Sequence, residues 1–209
     1  GGNKIGKITT AGVITEYTIP TAGSSPVGIT VGPDGNLWFT EYLGNKIGKV
    51  TTTGSFTEYT IPTAGSQPLG ITTGSDGNLW FTNTSSGNIG KITTAGIITE
   101  YPIGASTPFS IVTGPDGNLW FTEYGNNSIG KITTAGVFTE YTIPTAGSGP
   151  IDITVGPDNN LWFTEYSGNK IGKLTTAGNF TEYTVPTAGA APYGIAKGTD
   201  GNLWFAEYT

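Results

Sequence analysis

The stretch GPDGNLWFTEY, residues 32–42, decides the fold because close copies of it recur along the whole chain. Its tryptophan returns at Trp38, Trp80, Trp120, Trp162 and Trp204, a period of about 42 residues. The tripeptides Ile-Gly-Lys and Thr-Glu-Tyr also recur along the chain with this period. The sequence therefore predicts a tandem array of one structural unit.

Each unit has the composition of strands separated by turns. Thr, Ile, Val, Phe, Tyr and Trp occur in short runs, which Gly, Pro, Asn and Asp interrupt. In the first complete unit the runs cover residues 28–31, 36–42, 46–51 and 56–61. The first two are joined by Pro33-Asp34-Gly35, in which proline presets φ, aspartate bonds its own backbone and glycine accepts a positive φ. We therefore expect four strands in each unit.

Four-stranded units of this length in series are typical of a β-propeller. The sequence starts in the third strand of a unit, at residues 4–9, and finishes in the second strand of another, at 202–208. We therefore predict an all-β fold: one domain over residues 1–209, a five-bladed β-propeller with four antiparallel strands per blade. The strands of residues 1–19 would complete the blade begun by 192–208, and this seam would close the ring of a monomer.

Two sets of repeated residues are expected to be structural. The tryptophans are predicted to form the core between blades, and the turn aspartates to hold their turns. A two-residue loop at Thr53-Gly54 would put Lys49 opposite Glu58. The equivalent pairs would be Lys7 with Glu16, Lys91 with Glu100, Lys131 with Glu140 and Lys173 with Glu182.

The candidate site lies on the face that carries the longer loops, which we call the funnel face. The predicted ligand-binding residues are Glu41, Tyr42, Glu123, Tyr124, Asp152, Glu165, Tyr166, Tyr193, Glu207 and Tyr208. The predicted rim is Val27, Leu69, Phe109 and Ile151, each of which follows a proline. An acidic, aromatic funnel favours a cationic, sugar-like or peptide ligand.

The composition excludes several classes of function. The formal net charge is −6, which argues against a nucleic-acid partner. No apolar run approaches the roughly 18 residues of a membrane-spanning helix. The chain has no Cys and no His, so thiolate and imidazole metal ligands are absent from it, and we expect no metal and no cofactor. No signal peptide is visible, and localisation stays open.

The repeat resembles that of the virginiamycin B lyase (streptogramin lyase) family. The resemblance rests on residues 34–41, DGNLWFTE, and on Pro26-Val27-Gly28-Ile29 before them. It implies a β-propeller, usually of seven blades, and a Mg-dependent elimination that linearises a cyclic depsipeptide antibiotic. It also implies a glutamate at the end of the WFTE run and a histidine directly after the inner-strand proline. Here the histidine positions are Val27, Leu69, Phe109, Ile151 and Tyr193.

An elimination needs a base and an acid, and the histidine positions hold neither. We therefore expect a non-catalytic, symmetric scaffold without lyase activity, with a face that binds a small ligand or a protein. The near-identity of the repeats favours recent amplification, design or excision over an asymmetric active site. The alternatives are a lyase-like C–O lyase, for which Mg would be the cofactor, and a multivalent carbohydrate-binding lectin.

Overall fold

The computed structural model describes residues 2–104 and 106–209, and every regular element in it is a β-strand. Blade 1 contains β3 (Pro26–Val31), β4 (Leu37–Glu41), β5 (Lys46–Val50) and β6 (Phe56–Thr60). Blade 2 contains β7 (Pro68–Thr73), β8 (Leu79–Asn83), β9 (Asn88–Ile92) and β10 (Ile98–Pro102). Blade 3 contains β11 (Pro108–Thr113), β12 (Leu119–Glu123), β13 (Ser128–Ile132) and β14 (Phe138–Thr142). Blade 4 contains β15 (Pro150–Val155), β16 (Leu161–Glu165), β17 (Lys170–Leu174) and β18 (Phe180–Thr184).

Two hairpins flank these blades. The N-terminal hairpin is β1 (Lys4–Ile8) with β2 (Ile14–Thr18), and the C-terminal hairpin is β19 (Pro192–Lys197) with β20 (Leu203–Glu207). Within each blade the strands follow one another antiparallel in chain order. The first strand of each blade contacts the first strand of the next, from β3 through β7, β11 and β15 to β19. These five strands therefore line the centre of the arc, and we call them the inner strands.

The turn between the first two strands of a blade forms as predicted. Asp34 Oδ1 accepts a hydrogen bond from Trp38 Nε1 at 2.9 Å, and Gly35 has a φ of 75°. Asn159 takes this glycine position in blade 4 with a φ of 57°, a conformation that Asn tolerates better than most residues. The turn aspartates are therefore structural, as predicted, because they hold both the turn and the tryptophan.

The predicted register of the outer hairpin is wrong by one residue. Lys49 lies opposite Thr57, while Glu58 lies opposite Gly48. The loop is longer than two residues: the amide of Thr51 bonds the carbonyl of Ser55 at 2.9 Å around Gly54. The same shift applies to Lys7, Lys91, Lys131 and Lys173, which face Thr15, Thr99, Thr139 and Thr181. As a result Glu58 meets Lys46 instead, at 3.2 Å.

The five repeated tryptophans differ in how far they are buried. Trp38, Trp80 and Trp120 are fully buried between blades. Trp162 is only half-buried, and Trp204 is 64% exposed. This difference in burial depends on what packs against each tryptophan from the next repeat. The C-terminal hairpin has only two strands, so it covers Trp162 only in part. Within the described residues, no blade follows that hairpin to cover Trp204.

The predicted seam does not form in this structure. Among residues 2–104 and 106–209, β1 pairs only with β2, and β20 pairs only with β19. The fold therefore consists of four complete blades and two separate hairpins. No helix in this part of the chain is long and apolar enough to cross a membrane.

Candidate functional site

The inner strands line a central cavity of about 300 Å³. Its wall contains the predicted rim residues together with the residue that follows each of them. These are Val27, Gly28, Leu69, Gly70, Phe109, Ser110, Ile151, Asp152, Tyr193 and Gly194. Of the predicted ligand-binding residues, the cavity therefore brings together Asp152 and Tyr193.

Close packing of the inner strands explains the glycines in this wall. A Cβ on Gly28 would lie 2.5 Å from the backbone oxygen of Leu69, and one on Gly70 would lie 2.7 Å from that of Phe109. Blades 3 and 4 carry Ser110 and Asp152 at the same repeat position. The polar groups of the cavity are therefore concentrated on one side.

The carboxylate of Asp152 is held by donors from three neighbouring inner strands. Ser110 Oγ donates to Oδ1 at 2.7 Å, and the amide of Ile153 donates to the same oxygen at 2.9 Å. The amide of Ile195 donates to Oδ2 at 2.9 Å. Sequence reasoning missed Ser110, although it is one of two residues that replace glycine at this repeat position. These donors fix the direction in which the carboxylate faces the cavity.

Three tyrosines form an aromatic cluster next to Asp152. The ring centroids of Tyr166 and Tyr208 are 6.0 Å apart, those of Tyr193 and Tyr208 are 6.0 Å apart, and those of Tyr166 and Tyr193 are 6.3 Å apart. Tyr193 and Tyr208 are largely exposed. Their faces and hydroxyls are therefore available to a ligand above the cavity.

The other two predicted tyrosines make different contacts. Tyr124 packs against the rim residue Phe109, with ring centroids 5.6 Å apart. Tyr42 is half-buried, and its hydroxyl donates to Gln67 Oε1 at 2.9 Å. Tyr124 therefore extends the apolar rim, whereas Tyr42 fastens one loop to the next blade.

The predicted glutamates do not line the cavity. Glu41, Glu123 and Glu165 are fully buried, and Glu207 lies on the free edge of the C-terminal hairpin. The preceding Thr40 turns toward the next blade and donates to the carbonyl of Leu69 at 2.9 Å. The side chain of Glu41 therefore points to the opposite face of the strand, beneath the loop that contains Gly44. A Cβ on Gly44 would lie 2.9 Å from Glu41 Oε2.

Burial changes the acidity of these three carboxyls. It raises the pKa of Glu41 and of Glu123 to about 7, and that of Glu165 to about 8. A second cause is the negative charge of the outer-strand glutamate beside each of them, namely Glu58, Glu140 and Glu182. These carboxyls therefore titrate near neutral pH, which the sequence did not indicate.

The model of the virginiamycin B lyase family matches residues 1–160 and 146–209. The chain belongs to the virginiamycin B lyase family. It is 47% identical to the crystal structure of selenomethionine-substituted virginiamycin B lyase from Staphylococcus aureus, with a TM-score of 0.96, over 99% of this chain and 71% of that one. A streptogramin B lyase structure is 45% identical, with a TM-score of 0.95, over 99% of this chain and 70% of that one. A search of curated proteins found no match.

Family membership corrects the functional expectation from the sequence. We expected a non-catalytic scaffold that is not an enzyme, and this is wrong, because the virginiamycin B lyase relatives are lyases by name and match almost the whole chain. The expectation relied on the absence of histidine. In the S. aureus enzyme, a histidine-to-alanine variant, solved with quinupristin, is catalytically inactive. That structure is 47% identical to this chain, with a TM-score of 0.96, over 99% of this chain and 71% of that one.

Proposed function

We propose that the chain is a lyase of the streptogramin B type, which opens a cyclic depsipeptide by elimination at the central cavity. The observation that carries the proposal is the oriented carboxylate of Asp152 in an otherwise apolar wall. The likeness to virginiamycin B lyase supports the choice of reaction and of substrate class.

The lining of the cavity suits a peptide ligand with apolar side chains. Leu69, Phe109 and Ile151 supply apolar wall, and the aromatic cluster supplies flat surfaces with hydroxyls at their edges. The lone charge in the wall is negative, which disfavours phosphates and other anions. A cyclic depsipeptide would place part of its ring in the cavity and the rest against the cluster.

An elimination needs one group to remove a proton from carbon and another to protonate the leaving oxygen. The chain has no histidine for either role. We assign the first role to Asp152, whose carboxylate Ser110 and the amide of Ile195 orient. The second role falls to the phenol of Tyr193, because Tyr193 lines the same cavity as Asp152. As the C–O bond breaks, the Tyr193 proton passes to the departing oxygen.

The described residues do not fit the Mg²⁺ site that the family resemblance implies. Mg²⁺ is bound through carboxylate oxygens and waters. In residues 2–104 and 106–209, no three Asp, Glu, His or Cys side chains come together. Both oxygens of Asp152 already accept hydrogen bonds from the protein. No step of the mechanism is therefore assigned to a metal.

Incubation with quinupristin, with and without Mg²⁺, tests the proposal by mass spectrometry. Elimination within a ring leaves the mass unchanged while retention and fragmentation change, whereas hydrolysis adds one water. We expect a linear isomer of unchanged mass. Asp152→Asn and Tyr193→Phe should each reduce the rate by about 100-fold or more, whereas Glu16→Gln, on the exposed N-terminal hairpin, should not. Full activity in Asp152→Asn, or hydrolysis as the reaction, would refute the assignment.

We also propose that the two hairpins join to complete a fifth blade, which closes the ring. In blades 1 to 4 a phenylalanine of the second strand covers a glycine of the third, as Phe39 covers Gly48. Gly6 has no atom within 4 Å of a Cβ position, while Phe205 is 39% exposed. Likewise Trp38 stacks on Tyr59 at 5.6 Å, while Trp204 is exposed. Each hairpin therefore offers contacts that the other lacks.

The pairing of β4 with β5 gives the register of such a seam. Leu37 faces Val50 and Glu41 faces Lys46, so Leu203 would face Ile8 and Glu207 would face Lys4. Lys4 already bonds Glu16 at 2.7 Å, as Lys46 bonds Glu58 at 3.2 Å. The seam would therefore repeat the charge arrangement of blades 1 and 4.

Two observations show what opposes closure of the ring. The arc superposes on a longer propeller with a TM-score of 0.96, so a five-bladed ring requires tighter curvature. In addition, Ala206 replaces the threonine that in blades 1 to 4 donates across to the next inner strand, as Thr164 does to the carbonyl of Tyr193 at 2.8 Å. The seam would therefore lack one hydrogen bond that the other blade junctions have.

A further inference from the structure

An acidic pair with one buried member recurs where the second strand of a blade ends. The pairs join the last residue of the second strand to the glutamate of the outer strand: Glu41 with Glu58, Glu123 with Glu140 and Glu165 with Glu182. Blade 2 carries Asn83 with Glu100 instead. The inner member of every pair is fully buried. The proposed reaction at the cavity does not use any of these groups.

Blade 2 shows what the inner member does. Asn83 Nδ2 donates a hydrogen bond to Glu100 Oε1 at 3.0 Å. An amide can donate, and so can a protonated carboxyl, but an ionised carboxylate can only accept. A glutamate in this position makes the same contact only when it carries a proton.

The other groups around Glu41 donate no hydrogen bond to its carboxyl oxygens. Neither of its side-chain oxygens has a hydrogen-bond partner if both are treated as carboxylate acceptors, and the same holds for Glu123 and Glu165. Burying an ionised carboxylate without donors is strongly unfavourable. A proton on one oxygen removes the charge and provides the donor that the neighbouring outer-strand carboxylate can accept.

We propose that Glu41, Glu123 and Glu165 are buried as neutral carboxylic acids, each sharing its proton with the outer-strand glutamate, so that blades 1, 3 and 4 loosen when those protons are lost. The device is independent of the cavity chemistry. It makes the stability of the propeller respond to pH near neutrality, although the chain contains no histidine.

The charged groups around each pair do not offset a second negative charge. In blade 1, Lys46 on β5 lies opposite Glu41 and lowers its pKa by less than burial and Glu58 raise it, because its ammonium lies 3.2 Å from Glu58 and also bonds Thr21. In blade 4, Lys170 on β17 is placed in the same way, 3.4 Å from Glu182. The loops over the inner members contribute only serines, Ser24 over Glu41 and Ser148 over Glu165.

Blade 3 has even less compensation. Ser128 replaces the lysine, and its hydroxyl donates to Glu140 Oε1 at 2.7 Å. The loop contributes Ser106, whose nearby hydroxyl lowers the pKa of Glu123 without cancelling the rise from burial and from Glu140. Ionisation of Glu123 would therefore leave two negative charges and no cation in the pair.

The sign of the pH dependence follows from the three raised pKa values. Burial raises the pKa of the inner members from 4.5 to about 7 or 8, so the folded state binds more protons than the unfolded state between these values. Their contribution to stability is fully present below pH 4.5. It is lost progressively as the pH rises from 4.5 to about 7 to 8, and the loss levels off above that range.

Urea unfolding between pH 5 and pH 9 tests the proposal. The control is the triple variant Glu41→Gln, Glu123→Gln and Glu165→Gln, in which each amide imitates Asn83 and cannot ionise. We expect the unfolding midpoint of the natural chain to fall from pH 5 to about pH 8 and that of the variant to stay nearly flat. Glu100→Gln, in the blade whose inner member is the amide of Asn83, should keep the natural slope. Equal slopes in the natural chain and the triple variant would overturn the proposal.

Infrared spectroscopy supplies a second readout that does not depend on variants that fold well. At pH 6 the natural chain should show the carbonyl stretch of protonated carboxylic acids, and raising the pH to 9 should remove it. The single variant Glu123→Gln should reduce this band, since Glu123 is one of the carboxyls that contribute to it. Absence of the band at pH 6 would show that the inner glutamates are ionised and would refute proton sharing.

Discussion

At the scale of single residues, position relative to the next blade decides what a side chain contributes. Trp38 and Trp204 occupy the same repeat position, yet one is fully buried and the other is 64% exposed. Sequence reasoning identified the repeat correctly but could not assign burial, because burial depends on what packs against the following face. For the same reason, the sequence wrongly predicted that the buried glutamates would line the funnel.

The cost of removing a tryptophan should follow this burial. Trp120 lies between blades 3 and 4 and also donates to Asp116 at 2.9 Å. Trp120→Ala should lower the free energy of unfolding by about 3–5 kcal/mol. Ile97→Ala, at a side chain that is 67% exposed, should change it by less than about 0.5 kcal/mol. Chemical denaturation measures both, and similar losses would contradict the packing described.

At the scale of strands, much of the architecture could be predicted from the sequence. The strand pattern and the PDGN turn follow from local chemistry that repeats, so each copy supports the others. The outer hairpin was misread because Thr53-Gly54 was taken as the whole loop, whereas Gly54, with a φ of 92°, belongs to a longer one. At the cavity, the rim and Asp152 were found because they vary while their neighbours do not.

Each third strand depends on a glycine that a phenylalanine ring covers. A Cβ on Gly130 would overlap the ring of Phe121. Gly130→Ala should therefore destabilise blade 3 by about 1–3 kcal/mol through overpacking. Gly2→Ala is the matched change at a site with no atom within 4 Å, and it should have little effect. Thermal unfolding of the two variants is the measurement, and an unchanged melting temperature for Gly130→Ala would exclude this role.

At the scale of the whole molecule, the open question is whether the hairpins meet. The chain has no natural cysteine, so a disulfide between Ile5→Cys and Ala206→Cys would report the seam cleanly. The equivalent residues Ile47 and Thr40 face each other in blade 1. If the ring closes, the disulfide should form within a monomer, as light scattering and non-reducing electrophoresis would reveal. Gly6→Ala should then be destabilising, because Phe205 would cover Gly6.

Ile8→Cys with Ala206→Cys is the control, because this pair is out of register and should stay reduced. Disulfide-linked dimers would show strand exchange between two copies. A neutral Gly6→Ala together with no disulfide would show that the arc stays open. Either result would remove the closed five-bladed ring.

The threonine bonds between blades give the molecule an order of completion during its synthesis on the ribosome. Thr40 already accepts a hydrogen bond from the amide of Gly28, but its own hydroxyl proton has no acceptor within the protein until Leu69 has been made and docked. Thr82 and Thr122 wait in the same way for Phe109 and Ile151. Each nascent blade therefore gains this hydrogen bond from its successor, and the newest blade is the one whose threonine hydroxyl still bonds water. The C-terminal hairpin carries Ala206 at this repeat position, and alanine has no hydroxyl.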